Sequence, residues 1–407
     1  MAGPLEGIRI MECAGYLSAP SACYILGDMG AEIIKIEDRI KGDPARGMSA
    51  LFGRSMTLPN GENILFETAN RNKKSMTLDL KKKKGKGLLY KLLKESDVFC
   101  TNFSLSTINK LSLDYDTLKK YNPKLIYAMA TGYGSLGPDS EKRAFDSIAQ
   151  ARSGVMYTVG GEPESPPAQI GGPVFDQTTG SLLVGGILAA LIARDRQGIG
   201  QQIEVSLLGA GIHLQAYNIN TALMRGKAIS RPSRKNMKNP MANHYQCADG
   251  EWILLSEAQS DRFWHDFCIA LGIEQFEKDE RFKDMVARKK NYSEITEVIE
   301  KAFLKKTRKE WLNILEEKGK GMAFAPVLKH TELSEDSQVM ENGYINEVNH
   351  PSMGKAKLVG SPLRFSETPV ITDSFAPSFG EHTEDILINI CGYNWDQIGK
   401  LRDEEII

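Results

Sequence analysis

A single carboxylate, Asp176, stands in the stretch Gly171-Gly-Pro-Val-Phe-Asp-Gln-Thr-Thr-Gly180, after an apolar pair and before a long run of small and aliphatic residues. An acid in that setting can cap a helix, balance a buried charge or act as a nucleophile. Aspartate is a favoured N-cap, and the pattern predicts a helix over residues 178–194, directly after it. The same position suits a nucleophile, because amides at a helix N-terminus stabilise a carboxylate and any oxyanion formed beside it. Gly171, Gly172 and Gly180 would let a bulky ligand approach the backbone closely. The residues alone leave cap and nucleophile both open.

Other chemistries find less support. The turn after the first expected strand reads AGYLSAPSAC, without the GxGxxG that brings backbone amides against a pyrophosphate. The six histidines (His213, His244, His265, His330, His350, His382) lie far apart and form neither HExxH nor HxH. His265-Asp266 could be a ligand pair but reads more simply as a satisfied histidine, so no metal is expected. No GxSxG elbow is present for a serine hydrolase. Cys247 has no neighbouring base to favour its thiolate and reads as a buried thiol. The lysine run at 81–84 reads as a solvated face.

The elements that must position these residues alternate. IRIMECA, EIIKIE, SMTLDL, DVFCTN and KLIYAMATGYG are apolar strand patterns separated by helical stretches, and QQIEVSLL adds a further strand after the Asp176 helix. That alternation predicts parallel βαβ units in a doubly wound, Rossmann-like, mostly parallel α/β sheet. Residues 224–240 are basic, polar and poor in large apolar side chains, which predicts a linker. HYQCADGEWILLSE then reads as a β-hairpin turning at Asp249-Gly250. Helices follow around 263–271, 292–304 and 309–318, and the chain ends in an amphipathic helix from about Thr383. The expected organisation is a large domain of residues 1–220 plus 330–407, with a smaller inserted α+β domain of residues 221–329.

Composition sets the outer bounds. A chain of 407 residues exceeds what one core usually serves. Lysine and arginine total 51 against 52 acids, which gives no bulk attraction to nucleic acid or membrane. The apolar stretch Ser181–Ala193 is too short to span a bilayer and reads as a buried helix. Six scattered cysteines without a CxxC, and an N-terminus without a basic region followed by an apolar run, predict a reduced, cytoplasmic protein.

Read end to end, the chain resembles the class III CoA-transferases, the family of formyl-CoA transferase, carnitine CoA-transferase and the 2-hydroxyacyl-CoA transferases, with α-methylacyl-CoA racemase as a relative. The resemblance rests on PLEGIRIMECAGYLSAPSACYILGDMGAEIIKIE, GDPAR, NRNKKSMTLDL, TNF, YNPKLIYAMATGYGSLGP, FDSIAQARSG, the Asp176 stretch, GILAALIARDRQGIGQQIEVSLL and GEHTEDIL, in that order. It implies that Asp176 is a nucleophile forming an aspartyl–acyl anhydride and then an aspartyl-CoA thioester, with Asp146 in support. It further implies coenzyme A contacts at Leu17, Ser18, Arg39, Leu78, Asp79, Leu80, Lys81, Asn102, Phe103, Ser104, Lys110 and Arg143. No cofactor is permanently bound in this picture; acyl-CoA and a carboxylic acid are substrates, and two chains interlock as a homodimer. Departures narrow the substrate. Asp38 stands where relatives carry a basic residue, Leu17 replaces a glutamine of formyl-CoA transferase, and RKNMKNPMANHY replaces its tetraglycine loop. Acids larger than oxalate are therefore expected. The racemase branch uses a histidine before the aspartate equivalent to Asp146; here Phe145 occupies that place and cannot move a proton.

Overall fold

The apolar segment Arg9–Cys13 forms β1, the central strand of the main sheet, with residues 10–13 buried. The computed structural model describes residues 2–407 other than 52, 161, 163, 230, 232 and 373. After β1 come β2 (Glu32–Glu37), β3 (Lys73–Thr77), β4 (Val98–Thr101), β5 (Ile126–Thr131) and β6 (Gln201–Ser206). They pair in parallel throughout, in the order β3-β2-β1-β4-β5-β6. Chain order reverses between β1 and β4, so the connections leave on opposite faces and open a crevice beyond the carboxyl ends of these strands.

The helices that cover the sheet begin with α1 (Ser18–Asp28), α2 (Ile64–Asn70), α3 (Lys83–Lys94), α4 (Leu105–Leu111) and α5 (Asp146–Ser153). They continue with α6 (Val174–Gln197), α7 (Leu207–Leu214) and α8 (Ala216–Arg225). One face of the sheet packs on α1 and α6 through Ala22, Leu26, Leu183 and Ile187. At 24 residues α6 is longer than the apolar run foresaw, and by length and composition it could cross a membrane. Its apolar residues Leu183, Val184, Ile187 and Leu191 are nevertheless buried against α1 and the sheet.

Gly180 has a different purpose from the one expected. A Cβ there would lie 2.7 Å from Ser21 Cβ and 2.9 Å from Ser18 O, so the absent side chain makes room for α1 and not for a ligand.

The chain divides into two compact units. One comprises Met1–Met156, Gln169–Lys227 and Ser337–Ile407, and the other Tyr157–Ala168 with Ala228–Asp336. In the smaller unit β7 (His244–Gln246), β8 (Trp252–Leu255) and β9 (Phe324–Val327) form an antiparallel sheet. The β7–β8 hairpin turns through Gly250 at φ +81°, a left-handed conformation that glycine adopts without strain. Helices α9 (Ser260–Leu271), α10 (Tyr292–Phe303) and α11 (Arg308–Lys318) enclose a core around Tyr245, Phe267, Phe303 and Trp311. Buried Arg231 donates to the carbonyls of Ser165, Pro166 and Glu162 at 2.8, 3.2 and 3.3 Å, which ties residues 157–168 into this unit. Of the expected linker, Ser230 and Pro232 lie outside the described residues. Its remainder is short helical and turn structure, with Ser233 capping Arg234–Asn236.

The returning chain adds the hairpin β10 (Ile345–His350) and β11 (Gly354–Val359) to the larger unit, which the sequence pattern did not reveal. The expected single terminal helix is two, α12 (Thr383–Asn389) and α13 (Trp395–Asp403), broken near Gly392 at φ +67°. They pack Ile386, Leu387, Ile398 and Leu401 with α3 on the other face of the sheet.

Three strands of this sheet carry charge into its interior. Lys35 Nζ on β2 lies 2.7 Å from both Glu12 on β1 and Asp43, and Lys73 Nζ on β3 lies 2.6 Å from the other oxygen of Glu12, all with fully buried side chains. Burial opposes ionisation of Glu12, but Lys35 and Lys73 outweigh it and hold the carboxyl below its ordinary range. Lys35→Met would leave buried Asp43 without its cation and Glu12 with Lys73 alone, a defect that costs about 3–5 kcal/mol. Urea unfolding should register that loss, and a midpoint close to wild type would contradict the account.

Candidate active site

Asp176 is not the cap of its helix. The helix α6 begins at Val174, three residues earlier than an N-cap at Asp176 would require, so Asp176 lies in the first turn and Pro173 is the N-cap. Proline at this place offers no side-chain acceptor. The missing cap is supplied from another helix: Asp146 Oδ2, at the start of α5, accepts from Phe175 N at 2.6 Å and Asp176 N at 3.1 Å. Val174 N donates to Gly172 O at 3.0 Å. The first three amides of α6 are therefore engaged, and the expectation that they would stabilise an oxyanion beside Asp176 is corrected. Among the described residues, no group hydrogen-bonds the Asp176 carboxylate.

Asp146 is itself fixed by Gln150, which was not singled out from the sequence. Gln150 is fully buried; its Nε2 donates to Asp146 Oδ1 at 2.6 Å, and its Oε1 accepts from Ile170 N at 2.9 Å. One amide thus holds both the capping acid and the strand of chain that leads into Gly171-Gly172. The spacing of Asp146 and Gln150, one helical turn apart, was the available signal. Phe175 points inward against Gly211, where a Cβ would come within 2.1 Å of the ring.

The opposite wall is the loop from β1 into α1. Tyr16 holds φ +60°, a strained conformation for a residue with a side chain. Three contacts impose it: Tyr16 N donates to Asp43 Oδ1 at 3.1 Å, Gly15 N to Asn102 Oδ1 at 3.0 Å, and Asn102 Nδ2 to Gly15 O at 2.7 Å. The Tyr16 ring meets Phe145 edge-on with centroids 6.3 Å apart. Leu17 and Ser18 follow at the N-terminus of α1, which carries no side-chain cap.

These walls bound a cavity of about 900 Å³ at the carboxyl ends of β1, β4 and β5, where the strand order reverses. Of the residues proposed from the sequence, Asp176, Asp146, Leu17, Ser18, Asn102, Phe103, Ser104 and Arg143 line it. Arg39, Leu78, Asp79, Leu80, Lys81 and Lys110 do not. Leu78 is buried in the core with α3. Asp79 Oδ1 accepts from Lys81 N at 2.9 Å. Leu80 packs partly buried on the same core as Leu78, and Lys110 is exposed on α4. Arg39 faces Glu405 at 3.3 Å. Lys81 reaches Asp38 Oδ2 at 3.2 Å, and Asp38 is on the cavity lining. The cavity also takes in Lys41 and Lys142, which the sequence reading passed over; Lys41 follows β2 at the same edge, where a doubly wound sheet collects its ligand contacts.

Burial, then the negative charge of Asp146, oppose ionisation of Asp176 and push its carboxyl up to about 7. The six cysteines are all unpaired and buried, and burial raises the Cys247 thiol to about 11, so it is no thiolate.

Comparison with known proteins places the whole chain in one family. The model of CoA-transferase family III matches residues 5–383. The chain is 32% identical over 404 residues to (R)-2-hydroxy-4-methylpentanoate CoA-transferase of Clostridioides difficile, covering 99% of each chain. It is 32% identical over 406 residues to cinnamoyl-CoA:phenyllactate CoA-transferase of Clostridium sporogenes, covering 99% of this chain and 97% of that one. The crystal structure of a CAIB/BAIF family protein from Brucella suis superposes with a TM-score of 0.85 at 29% identity, over 96% of this chain and 100% of that one.

A carboxyl raised in the folded state binds its proton more tightly there than in the unfolded chain. Between the ordinary value of 3.8 and about 7, Asp176 therefore makes the fold less stable as pH rises, and above that window its contribution is constant. Carboxyl NMR should place the Asp176 midpoint near the upper end of this window. Asp146→Asn keeps an oxygen for the two amides but removes the charge, and should lower the midpoint; an unchanged value would mean that Asp146 does not set it. Asp146→Ala also removes the cap and should cost about 1–2 kcal/mol in urea unfolding.

Proposed function

This chain belongs to CoA-transferase family III and is a CoA-transferase, and from that premise we propose that Asp176 carries CoA between two carboxylic acids. The observation that carries the reading is a half-buried carboxylate without a hydrogen-bond partner among the described residues, at the wall of a large cavity at the switch point of the sheet. Withheld from water and from stabilising donors, it is a better nucleophile than an ordinary aspartate.

An Oδ of Asp176 attacks the carbonyl carbon of the donor thioester; the C–S bond breaks, CoA leaves as thiolate, and an aspartyl–acyl anhydride remains. The thiolate attacks Cγ of Asp176, the anhydride C–O bond breaks, and the donor acid departs as carboxylate, leaving an aspartyl-CoA thioester. An oxygen of the acceptor carboxylate then attacks Cγ and expels the thiolate again. Attack of that thiolate on the acceptor carbonyl forms the new thioester and restores the Asp176 carboxylate. No net proton is consumed. Because the leading amides of α6 are bound to Asp146 and Gly172, donors for the tetrahedral oxyanions come from elsewhere. The uncapped N-terminus of α1 at Leu17-Ser18, on the cavity lining, is the candidate.

Lys41, Lys142 and Arg143 on the lining support a polyanionic CoA, with the adenine and phosphates toward this rim. Tyr16, Leu17, Met48, Leu51, Phe145 and Leu207 make the remaining wall largely apolar, which supports an acid with a branched or aromatic 2-hydroxyacyl body over oxalate. The two clostridial relatives, named for such acids, support the same choice. We further propose a cytoplasmic homodimer. Tyr217, Leu223 and Met224 on α8 are 84%, 74% and 85% exposed, an apolar face that a second copy would cover, and six buried free thiols suit a reducing compartment.

Asp176→Ala should lose transfer by about ten-thousand-fold or more while still binding CoA. Wild-type protein incubated with an acyl-CoA and then hydroxylamine should carry a hydroxamate at residue 176 by peptide mass. Normal turnover in the variant, or label elsewhere, ends the mechanism. In a panel of acceptor acids, kcat/KM should favour branched and aromatic 2-hydroxy acids over formate and oxalate, and the opposite order would reject the substrate class. Sedimentation should give a dimer at all concentrations tested, whereas a persistent monomer would refute the assembly.

A further inference from the structure

Away from the cavity, three side chains of the larger unit converge, and the two acids among them share a hydrogen bond. Glu62 precedes α2, Glu67 lies within it, and His350 ends β10. The His350 side chain is 4% exposed, and its Nε2 is buried without a hydrogen-bond partner. That nitrogen faces Glu62 Oε2 at 3.7 Å and Glu67 Oε2 at 3.5 Å. Both separations exceed the ~2.7–3.2 Å of an N–H···O hydrogen bond. They are close to the spacing of two ligands that share one ion: bonds of about 2.0–2.1 Å in a tetrahedron place the donor atoms roughly 3.4 Å apart.

The surroundings suit a ligating imidazole. Ser352 N donates to His350 Nδ1 at 3.2 Å, and Ser352 Oγ lies 3.1 Å from the same nitrogen and accepts from Asn60 Nδ2 at 2.7 Å. Nδ1 thus accepts, and the metal-free ring carries its proton on Nε2 between the two carboxylates; a bound cation displaces that proton, and Ser352 Oγ is then placed to accept from Nδ1. Phe375 packs edge-on against the ring with centroids 4.6 Å apart, which fixes its orientation.

We propose that Glu62, Glu67 and His350 bind one divalent cation of the zinc class, with a fourth position open to solvent beside the exposed Glu62. One imidazole and two carboxylates form a borderline nitrogen–oxygen set that suits zinc better than calcium or magnesium, which prefer oxygen alone. The ion joins α2 to the β10–β11 hairpin. Leu65 and Phe66 of α2 share a small core with Leu17 and Ala45, and Leu65 lines the cavity, so the ion also steadies one wall of the site.

Full-length, tag-free protein stripped by a chelator is titrated with Co²⁺ as a visible reporter and then with Zn²⁺ as competitor. One equivalent of Co²⁺ with d–d absorption of low-coordinate type, displaced by Zn²⁺ and accompanied by a rise in Tm, is the expected result. Glu67→Gln should weaken binding about 100-fold or more, and Ser352→Ala, which leaves the three ligands, about 10–100-fold. Glu62→Gln, at a largely exposed position, tests the site even where a His350 variant fails to fold. Absence of saturable binding, or wild-type affinity in both Glu62→Gln and Glu67→Gln, overturns the proposal. In the latter case the metal sits elsewhere, and His350 is an imidazole held between two acids.

Discussion

The main sheet depends on charges placed where there is no water to solvate them. Lys35 sits between Glu12 and Asp43, Lys73 binds the far oxygen of Glu12, and Glu37 accepts from Asp43 N while pairing with Arg46. Three cations face three anions, so the cluster carries no net charge. Each member alone would be prohibitive to bury; together they tolerate the low-dielectric interior because every charge has a partner at hydrogen-bond distance. Their placement follows from register, since Glu12 on β1 stands directly beside Lys35 on β2. An apolar core of the same volume would hold these strands together equally well. What it would not do is reach past the strand ends and grip a loop.

Asp43 does that. One carboxylate oxygen is anchored on Lys35, and the other accepts from Ala45 N and Tyr16 N. The buried network therefore ends in the strained backbone at Tyr16, and Asn102 clamps the adjacent Gly15 from β4. Gly15 itself has no room for a side chain, since its Cβ would meet Pro44 Cδ at 3.1 Å. The loop that begins α1 and forms one wall of the cavity is thus overdetermined from two strands, and the unfavourable φ of Tyr16 persists because its amide is held. Rigidity at the site traces back to ion pairs in the sheet.

Much of this was legible in the sequence, and the remainder was hidden for definable reasons. Apolar runs such as EIIKIE and DVFCTN are long and regular enough to fix the parallel sheet, and the order of motifs fixed the family. The start of α6 was misplaced because Val174 and Phe175 follow Pro173, and Asp176 is a better N-cap by type than proline; nothing local says that the cap comes from residue 146. Gly180 looked like an approach for a ligand because glycine permits close contact of any kind, and only the crossing with α1 identifies the contact. The hairpin β10–β11 escaped because INEVNH and GKAKLV are polar on alternate and adjacent positions and half exposed, so they lack a buried face to set a period. Lys35 and Lys73 read as ordinary strand polar residues, since burial of a lysine depends on partners distant in sequence.

The two aspartates divide tasks that one residue could not perform together. Had Asp176 capped its own helix, its oxygens would have accepted from the α6 amides, which favours the ionised form and draws electron density into hydrogen bonds. A carboxylate so stabilised is a poor nucleophile. Moving it into the first turn and assigning the cap to Asp146 leaves it with the opposite environment: partial burial, no donor among the described residues, and a second negative group nearby. The helix still receives its anion at the N-terminus, so the fold loses little. Gln150 completes the division by donating to Asp146 and thereby holding the capping acid on the α6 amides, away from the Asp176 carboxylate. The reactivity of Asp176 is thus a consequence of how α6 is capped, and Asp146 supports the chemistry by occupying donors that would otherwise quench it.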